Sequence, residues 1–265
     1  MAYGITNAIV SKGIRFTYTV GNTIYEYKKG IDLDETSIMT ETNPSTGMVK
    51  CWLKESGTLS FSHLPKSEAV RAFAVGAGGN GTRGGYPYGE YQNVGAAGAG
   101  GYTDTTEFYT ISKNQDMAIV VGSRSGDSSS TSGMGLTAAQ GTDATSGAYR
   151  RTNGGTGYGG AGAHAFYDST WGTGDHFYAG ENGQDGVYAF GEDNFDGIKY
   201  GAGGGGGNDY GFSTYSGGAT GGGASGTNGT ANTGGGGGGG GTSIGYAAGT
   251  GGSGVFIFET LVVAI

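Results

Sequence analysis

The chain has one cysteine, three prolines and no apolar run approaching eighteen residues, and each shortage removes a class of protein. Cys51 alone offers neither a disulfide framework nor a metal cluster. Within Met48-Val49-Lys50-Cys51-Trp52-Leu53-Lys54 it reads as an ordinary core thiol. The three prolines, Pro44, Pro65 and Pro87, are too few for collagen, and no glycine recurs strictly at every third position. Without a long apolar run, no membrane-inserted helix is expected. The opening Met1-Ala2-Tyr3-Gly4-Ile5-Thr6-Asn7 lacks the basic stretch and apolar core of a secretory signal. Synthesis in a cytoplasm, without use of the general secretory route, is therefore the expectation. Positive charge is scarce as well, with 14 Lys and Arg against 22 Asp and Glu. The deficit is uneven: residues 1–75 carry eight cations against seven anions, and residues 76–265 carry six against fifteen. Arg150-Arg151 is the only adjacent basic pair in that acidic part, so DNA, RNA and anionic membranes are poor partners for it.

What is abundant is glycine. All but six of the 63 glycines lie between Gly76 and Gly254. In a helix or sheet each would cost about 0.5–1 kcal/mol relative to Ala, which over that stretch exceeds the net stability of a typical domain. Such a region is either disordered or packed in a way that needs glycine. Aromatic residues interleave with the glycines throughout, which disordered segments seldom show. The packing that fits is an extended left-handed helix with three residues per turn. It has no internal hydrogen bonds, so every N–H and C=O is free to bond sideways, and without Cβ atoms neighbouring backbones can approach closely. The expected fold class is mainly β and irregular. Residues 1–75 form a small β-rich attachment domain, 76–258 a glycine-rich bundle of polyglycine II-type helices with border strands, and 259–265 a C-terminal strand tail.

Local patterns place the strands. Ile14–Val20 and Thr23–Tyr27 alternate apolar and polar residues around Gly21-Asn22, a hairpin signal. A second hairpin is predicted from Met48–Lys54 to Thr58–Ser62 through Ser56-Gly57, with Asp32–Gly47 as a polar loop or at most a short helix. Val70–Val75 and Val255–Phe258 border the glycine region and are expected to clamp it where the chain enters and leaves. Phe108–Ile111 and Ala118–Val121 resemble one more hairpin.

Ser56-Gly57-Thr58-Leu59-Ser60-Phe61, Pro65, the strand Val70–Val75 and Gly76-Ala77-Gly78-Gly79 resemble the glycine-rich domains of phage tail proteins. So do Gly98-Ala99-Gly100-Gly101-Tyr102, the run Ile119-Val120-Val121-Gly122 and the ending Gly251-Gly252-Ser253-Gly254-Val255-Phe256-Ile257-Phe258. The resemblance covers about residues 56–258. The polyglycine bundle is known from the distal tail-fibre adhesins of T-even-like phages, where turns at the bundle's tip carry host recognition. The resemblance implies the same role here. The N-terminal part does not look like the attachment domain of those adhesins.

Catalytic and cofactor motifs fare poorly. Gly76-Ala77-Gly78-Gly79-Asn80-Gly81 fits G-x-G-x-x-G, but Thr82-Arg83-Gly84-Gly85-Tyr86-Pro87 cannot readily start the helix a dinucleotide needs. Glu192, Asn194 and Asp196 precede Gly197 as in a calcium loop, yet the twelfth position is Gly203, which excludes an EF-hand. His63, His164 and His176 show no zinc spacing. Glu181, Asp185, Glu192, Asp193 and Asp196 could in principle supply a glycosidase pair, but nothing indicates the apolar pocket that raises one pKa. No G-x-S-x-G elbow occurs. The expectation is no enzyme, no cofactor and no metal.

Binding remains. Aromatic rings on turns beside Asn, Asp, Ser and Thr suit recognition, because a ring offers large area and a polar handle at low entropic cost. The candidate receptor-binding residues are Tyr86, Tyr88, Tyr91, Tyr167, Trp171, Phe177, Tyr178, Tyr210, Phe212 and Tyr215. The expected function is a phage tail-tip or tail-fibre adhesin in the virion, made in the host cytoplasm. Its partners are a host cell-surface receptor, glycan or protein, other tail proteins through the N-terminal region, and further copies of itself. The alternatives are a structural tail or baseplate component without receptor contact and, less well matched to these irregular turns, an ice-binding protein.

Overall fold

The computed structural model describes residues 14–28, 31–63, 69–83, 91–93, 95–125, 128–145, 152–157, 164–167, 175–178, 181–192, 194–207, 221–224, 226–241 and 247–260. It is mainly β, as expected, and almost without helix. Strands are numbered in chain order. The predicted first hairpin forms: β1 (Arg15–Val20) pairs antiparallel with β2 (Thr23–Lys28), Val20 facing Thr23 across the turn. Gly21 takes a φ of +56°, which a tight two-residue turn asks of its first central residue. On β1, Phe16 and Tyr18 alternate inward, and β5 (Gly57–His63) and β9 (Asp116–Ile119) complete a sheet of order β2-β1-β5-β9.

A second antiparallel sheet has the order β3-β4-β16-β6-β8, from β3 (Ile38–Thr42), β4 (Val49–Leu53), β6 (Ala69–Val75), β8 (Thr103–Thr110) and β16 (Val255–Thr260). The expected border strands are thus direct neighbours, with Val255 paired to Val75. Both faces of this sheet are covered, so β4, β6 and β16 carry apolar runs instead of clean alternation. One face contributes Ile38, Cys51, Leu53, Ala72, Ala74, Phe256 and Phe258 to a core shared with Phe16, Tyr27, Leu59 and Phe61 of the first sheet. Phe258 meets Phe16 and Phe61 edge-on, with ring centroids 5.6 and 5.8 Å apart. Cys51 is fully buried there, and burial pushes its thiol pKa up. The other face carries Trp52, Phe73, Val75, Val255 and Ile257 beneath Ala189, Phe195 and Tyr200.

Three local expectations are corrected. β4 and β5 do not form a hairpin; they belong to the two facing sheets, and Lys54–Ser56 carries the chain across the core between them. Gly57 is not there for the turn: a Cβ at that position would lie 2.5 Å from the Thr19 carbonyl oxygen on β1. β8 and β9 diverge in the same way, β8 onto β6 and β9 onto β5. The stretch Asp32–Gly47 is not all loop, because Ile38–Thr42 is the edge strand β3. Alternation identifies a strand's inner face but not which sheet receives it.

Beyond Gly76 and before Gly254, glycine segments with neither helix nor strand assignment lie side by side. The N–H groups of residues 236–240 go to three neighbours. Gly236 and Gly239 donate to Ala202 and Gly205, Gly237 and Gly240 to Gly79 and Thr82, and Gly238 to Thr227. Three sets of donors reach the carbonyls of segment 234–240. Gly101, Gly98 and Gly95 bond to Gly234, Gly237 and Gly240; Gly223 and Gly226 bond to Gly236 and Gly239; Gly252 and Gly249 bond to Gly235 and Gly238. These bonds are 2.7–2.9 Å long, and where a neighbour is met more than once it is met at every third residue. A β-ladder would bond one neighbour on each side with a period of two. Residues 95–101, 201–207 and 233–241 are buried, so this sideways bonding is what satisfies their backbones. Packing this close excludes side chains: a Cβ on Gly237 would stand 2.2 Å from the carbonyl oxygen of Gly249.

Two small hairpins and a three-stranded sheet complete the description. β10 (Thr131–Gly133) pairs with β11 (Leu136–Ala138), and β14 (Val187–Tyr188) pairs with β15 (Lys199–Tyr200) around the 3-10 turn Ala189–Gly191. β7 (Tyr91–Asn93), β12 (His164–Tyr167) and β13 (Asp175–Tyr178) form a sheet of order β13-β12-β7.

Candidate recognition surface

The glycine segments have a near end and a far end. Near the sheets, three adjacent strands run straight into the bundle: β6 continues as Gly76, Gly101 leads to β8, and Gly254 leads to β16. Val75 is paired with both Val255 and Thr103 at that border. At the opposite end, Gly240 donates to Thr82, Gly95 to Gly240 and Gly207 to Gly95, which gathers four segment ends in one place.

Six of the candidate binding residues follow from these far ends in sequence. Tyr86, Tyr88 and Tyr91 lie between Thr82 and Gly95, and Tyr210, Phe212 and Tyr215 come after Gly207. Tyr91, Tyr167, Phe177 and Tyr178 are on strands of the three-stranded sheet. There Phe166 pairs with Tyr91 and with His176, Ala165 with Gln92 and with Phe177, and His164 with Asn93 and with Tyr178. Segments more than seventy residues apart in sequence are thereby joined, a link that no local pattern announces. Tyr86, Tyr88, Trp171, Tyr210, Phe212 and Tyr215 lie outside the described residues.

Of the carboxylates weighed for calcium or catalysis, Glu192 and Asp196 hold the 181–200 stretch against the outer face of the five-stranded sheet. Directly opposed residues place Glu41, Lys50, Glu259 and Arg71 in one row across β3, β4, β16 and β6, with alternating charge. Arg71 donates from Nε to Glu259 Oε2 at 2.6 Å and grips Glu192 in a bidentate pair at 2.7 and 3.1 Å. That hydrogen bonding lowers the Glu192 pKa, the opposite of what a general acid requires. Asp196 accepts from Trp52 Nε1 at 3.1 Å, from the Tyr200 hydroxyl at 2.7 Å and from the Ile198 N–H at 2.9 Å. Burial and the neighbouring Asp196 raise the Tyr200 pKa, so its hydroxyl stays a donor. Lys50 Nζ caps the Phe195 carbonyl at 2.5 Å and stands 4.4 Å from the centre of its ring. Asp185 pairs with Lys199 at 2.7 Å. Asp193 lies outside the described residues. Within the G-x-G-x-x-G stretch, β6 passes into extended backbone through Arg83, with no helix there.

Two clefts flank the junction of sheets and bundle. The larger, about 660 Å³, is lined by Lys54, Glu55, Ser56, Ser123, Asn232 and Ser253 among others. Its polar groups bond largely to one another, as in Asn232 N–H to Ser253 Oγ at 2.9 Å and Val121 N–H to Ser56 Oγ at 2.9 Å. The smaller, about 370 Å³, lies between β8 and the 187–191 stretch. Among the described residues no group of three or more His, Cys, Asp or Glu could hold a metal ion, and no helix is long and apolar enough to cross a membrane. Comparison with models of known protein families, with curated proteins and with solved structures returned no match.

Proposed function

We propose that this chain is a phage tail-tip or tail-fibre adhesin, a non-enzymatic binding protein of the virion that recognises a glycan or protein on the host surface. In this reading the glycine segments are polyglycine II-type helices. The three-residue recurrence of their sideways hydrogen bonds supports that geometry, because a helix with three residues per turn points every third N–H at the same neighbour. The observation that carries the function is the shared far end. Thr82, Gly95, Gly207 and Gly240 meet there, and aromatic-rich stretches continue the chain after Thr82 and Gly207. Tyr91, Tyr167, Phe177 and Tyr178 of the three-stranded sheet are further candidate contacts in this reading. In this reading the closely packed glycine segments support the recognition turns, and the sheets at their near end offer other tail proteins a mounting surface. Several copies on one virion would add avidity.

Binding of fluorescently labelled full-length protein to a panel of intact bacterial strains, with competing surface glycans, tests this reading. Saturable, strain-selective binding is expected, and the competitor that removes it names the receptor class. Uniform failure of folded and oligomeric preparations to bind would instead favour a structural tail or baseplate component.

A further inference from the structure

We propose that Asn153 is a site of spontaneous covalent modification, at which the side-chain amide becomes a carboxylate after attack by the Gly154 backbone nitrogen. The site does not depend on the adhesin reading. The chain has four Asn-Gly pairs: Asn80-Gly81, Asn153-Gly154, Asn182-Gly183 and Asn228-Gly229. Glycine leaves its own nitrogen unshielded, because it has no Cβ. Local sequence therefore gives all four pairs the same chemistry, and only the fold separates them.

Two pairs are locked within the glycine segments. The Gly81 N–H donates to the Gly249 carbonyl and the Gly229 N–H to the Thr250 carbonyl, each at 2.9 Å. Their side-chain amides are held as well. Asn80 Oδ1 accepts from the Gly251 N–H at 3.0 Å, and Asn228 Oδ1 from the Thr250 N–H at 2.9 Å. Attack requires the glycine nitrogen to lose its proton and the amide carbon to swing onto it, so both hydrogen bonds must break first. Asn228 is exposed, which shows that access to water is not what separates the pairs. Asn182 also has a partner.

Asn153 differs. It is exposed, and neither its side chain nor the Gly154 N–H has a hydrogen-bond partner among the described residues. Gly154 has a φ of +100°, and a Cβ there would lie 2.1 Å from Thr142 Oγ1. The fold thus demands glycine after Asn153 and keeps the reactive pair intact. In the reaction the Gly154 nitrogen gives its proton to solvent base and bonds to Asn153 Cγ. The Cγ–Nδ2 bond breaks, and Nδ2 leaves as ammonia, taking a proton from water. Water then opens the cyclic imide at either carbonyl, which leaves Asp or isoaspartate. The balance is one water consumed and one ammonia released, and the product adds a negative charge to a formal net charge of −8. Isoaspartate also lengthens the backbone by a methylene just before Gly154, whose carbonyl accepts from the Thr142 N–H at 2.9 Å and Oγ1 at 3.0 Å. Conversion should therefore loosen the join between Thr142 and Gly154.

The test is incubation of the full chain in mildly alkaline buffer, folded and in urea, followed by digestion in acid and peptide mapping that separates Asn, Asp and isoaspartyl forms. In the folded chain Asn153 should convert at least about tenfold faster than Asn80 or Asn228, whose N–H groups are released only by local opening. In urea the four pairs should convert at similar rates. Asn153→Ser should remove the first acidic species to appear on isoelectric focusing and leave the melting temperature unchanged. Conversion of any other Asn-Gly pair ahead of Asn153 in the folded chain would overturn the proposal. So would an intact Asn153 in folded protein whose unfolded counterpart converts.

Discussion

At the scale of single residues, carboxylates that look like ligands or acids in the sequence act as fasteners. Asp196 gathers the Trp52 indole, the Tyr200 hydroxyl and a backbone N–H, and Tyr200 is almost fully buried. Asp196→Ala should therefore cost about 1–3 kcal/mol in urea unfolding, because two buried donors are stranded. An unchanged midpoint would mean that water replaces the carboxylate freely. Glu192 has a definite acid dependence. Its folded pKa is lowered, first by hydrogen bonding to Arg71, so its contribution is present above the unfolded carboxyl pKa and disappears as pH falls through the folded value. The side chain is 45 % exposed, so solvent screening keeps that contribution to a few tenths of a kcal/mol. The stability gap between the native chain and Glu192→Gln should close as the pH drops from 7 to below about 4, the ordinary carboxyl range. A gap that widened in acid would reverse the assigned sign.

At the scale of elements, the first hairpin was legible because Gly21-Asn22 carries its own turn geometry. The pairings of β4, β5, β8 and β9 were not. Each of these strands has ordinary β-forming residues, but the turns between them lead across the core to the facing sheet, where Phe16, Phe61 and Phe258 pack together. For the bundle, Gly237→Val should lower the melting temperature sharply, since overpacking a tight interior costs about 1–3 kcal/mol or more and here the obstacle is backbone. Amide exchange offers a second reading of the same element. The N–H groups of Gly236, Gly237 and Gly239 should exchange as slowly as those of β16, although they belong to no helix or strand. Rapid exchange together with an unaltered melting curve for Gly237→Val would rule out close packing there.

At the scale of the molecule, the proposed adhesin function separates stability from recognition. Tyr88→Ala, Trp171→Ala and Tyr210→Ala should each reduce attachment to a susceptible host strain several-fold with little change in melting temperature. Attachment assays run beside thermal unfolding check both halves. Intact attachment in all three variants would remove these residues from the site, and a collapse in stability would assign them to packing.

Composition alone excluded a helix or an ordinary sheet for the glycine region, because the backbone entropy of so many glycines cannot be offset there. Alternation alone placed β1 and β2, since a period of two is a local property, and short apolar runs bounded by glycine placed β6 and β16. Tertiary structure decided the rest. It chose which sheet each strand joined, put β16 at the centre of a sheet begun more than two hundred residues earlier, and turned Glu192 and Asp196 into fasteners. It also brought β7 to β12 and Thr82 to Gly240. Those outcomes depend on partners distant in sequence, and a local pattern carries no record of which distant partner will satisfy it.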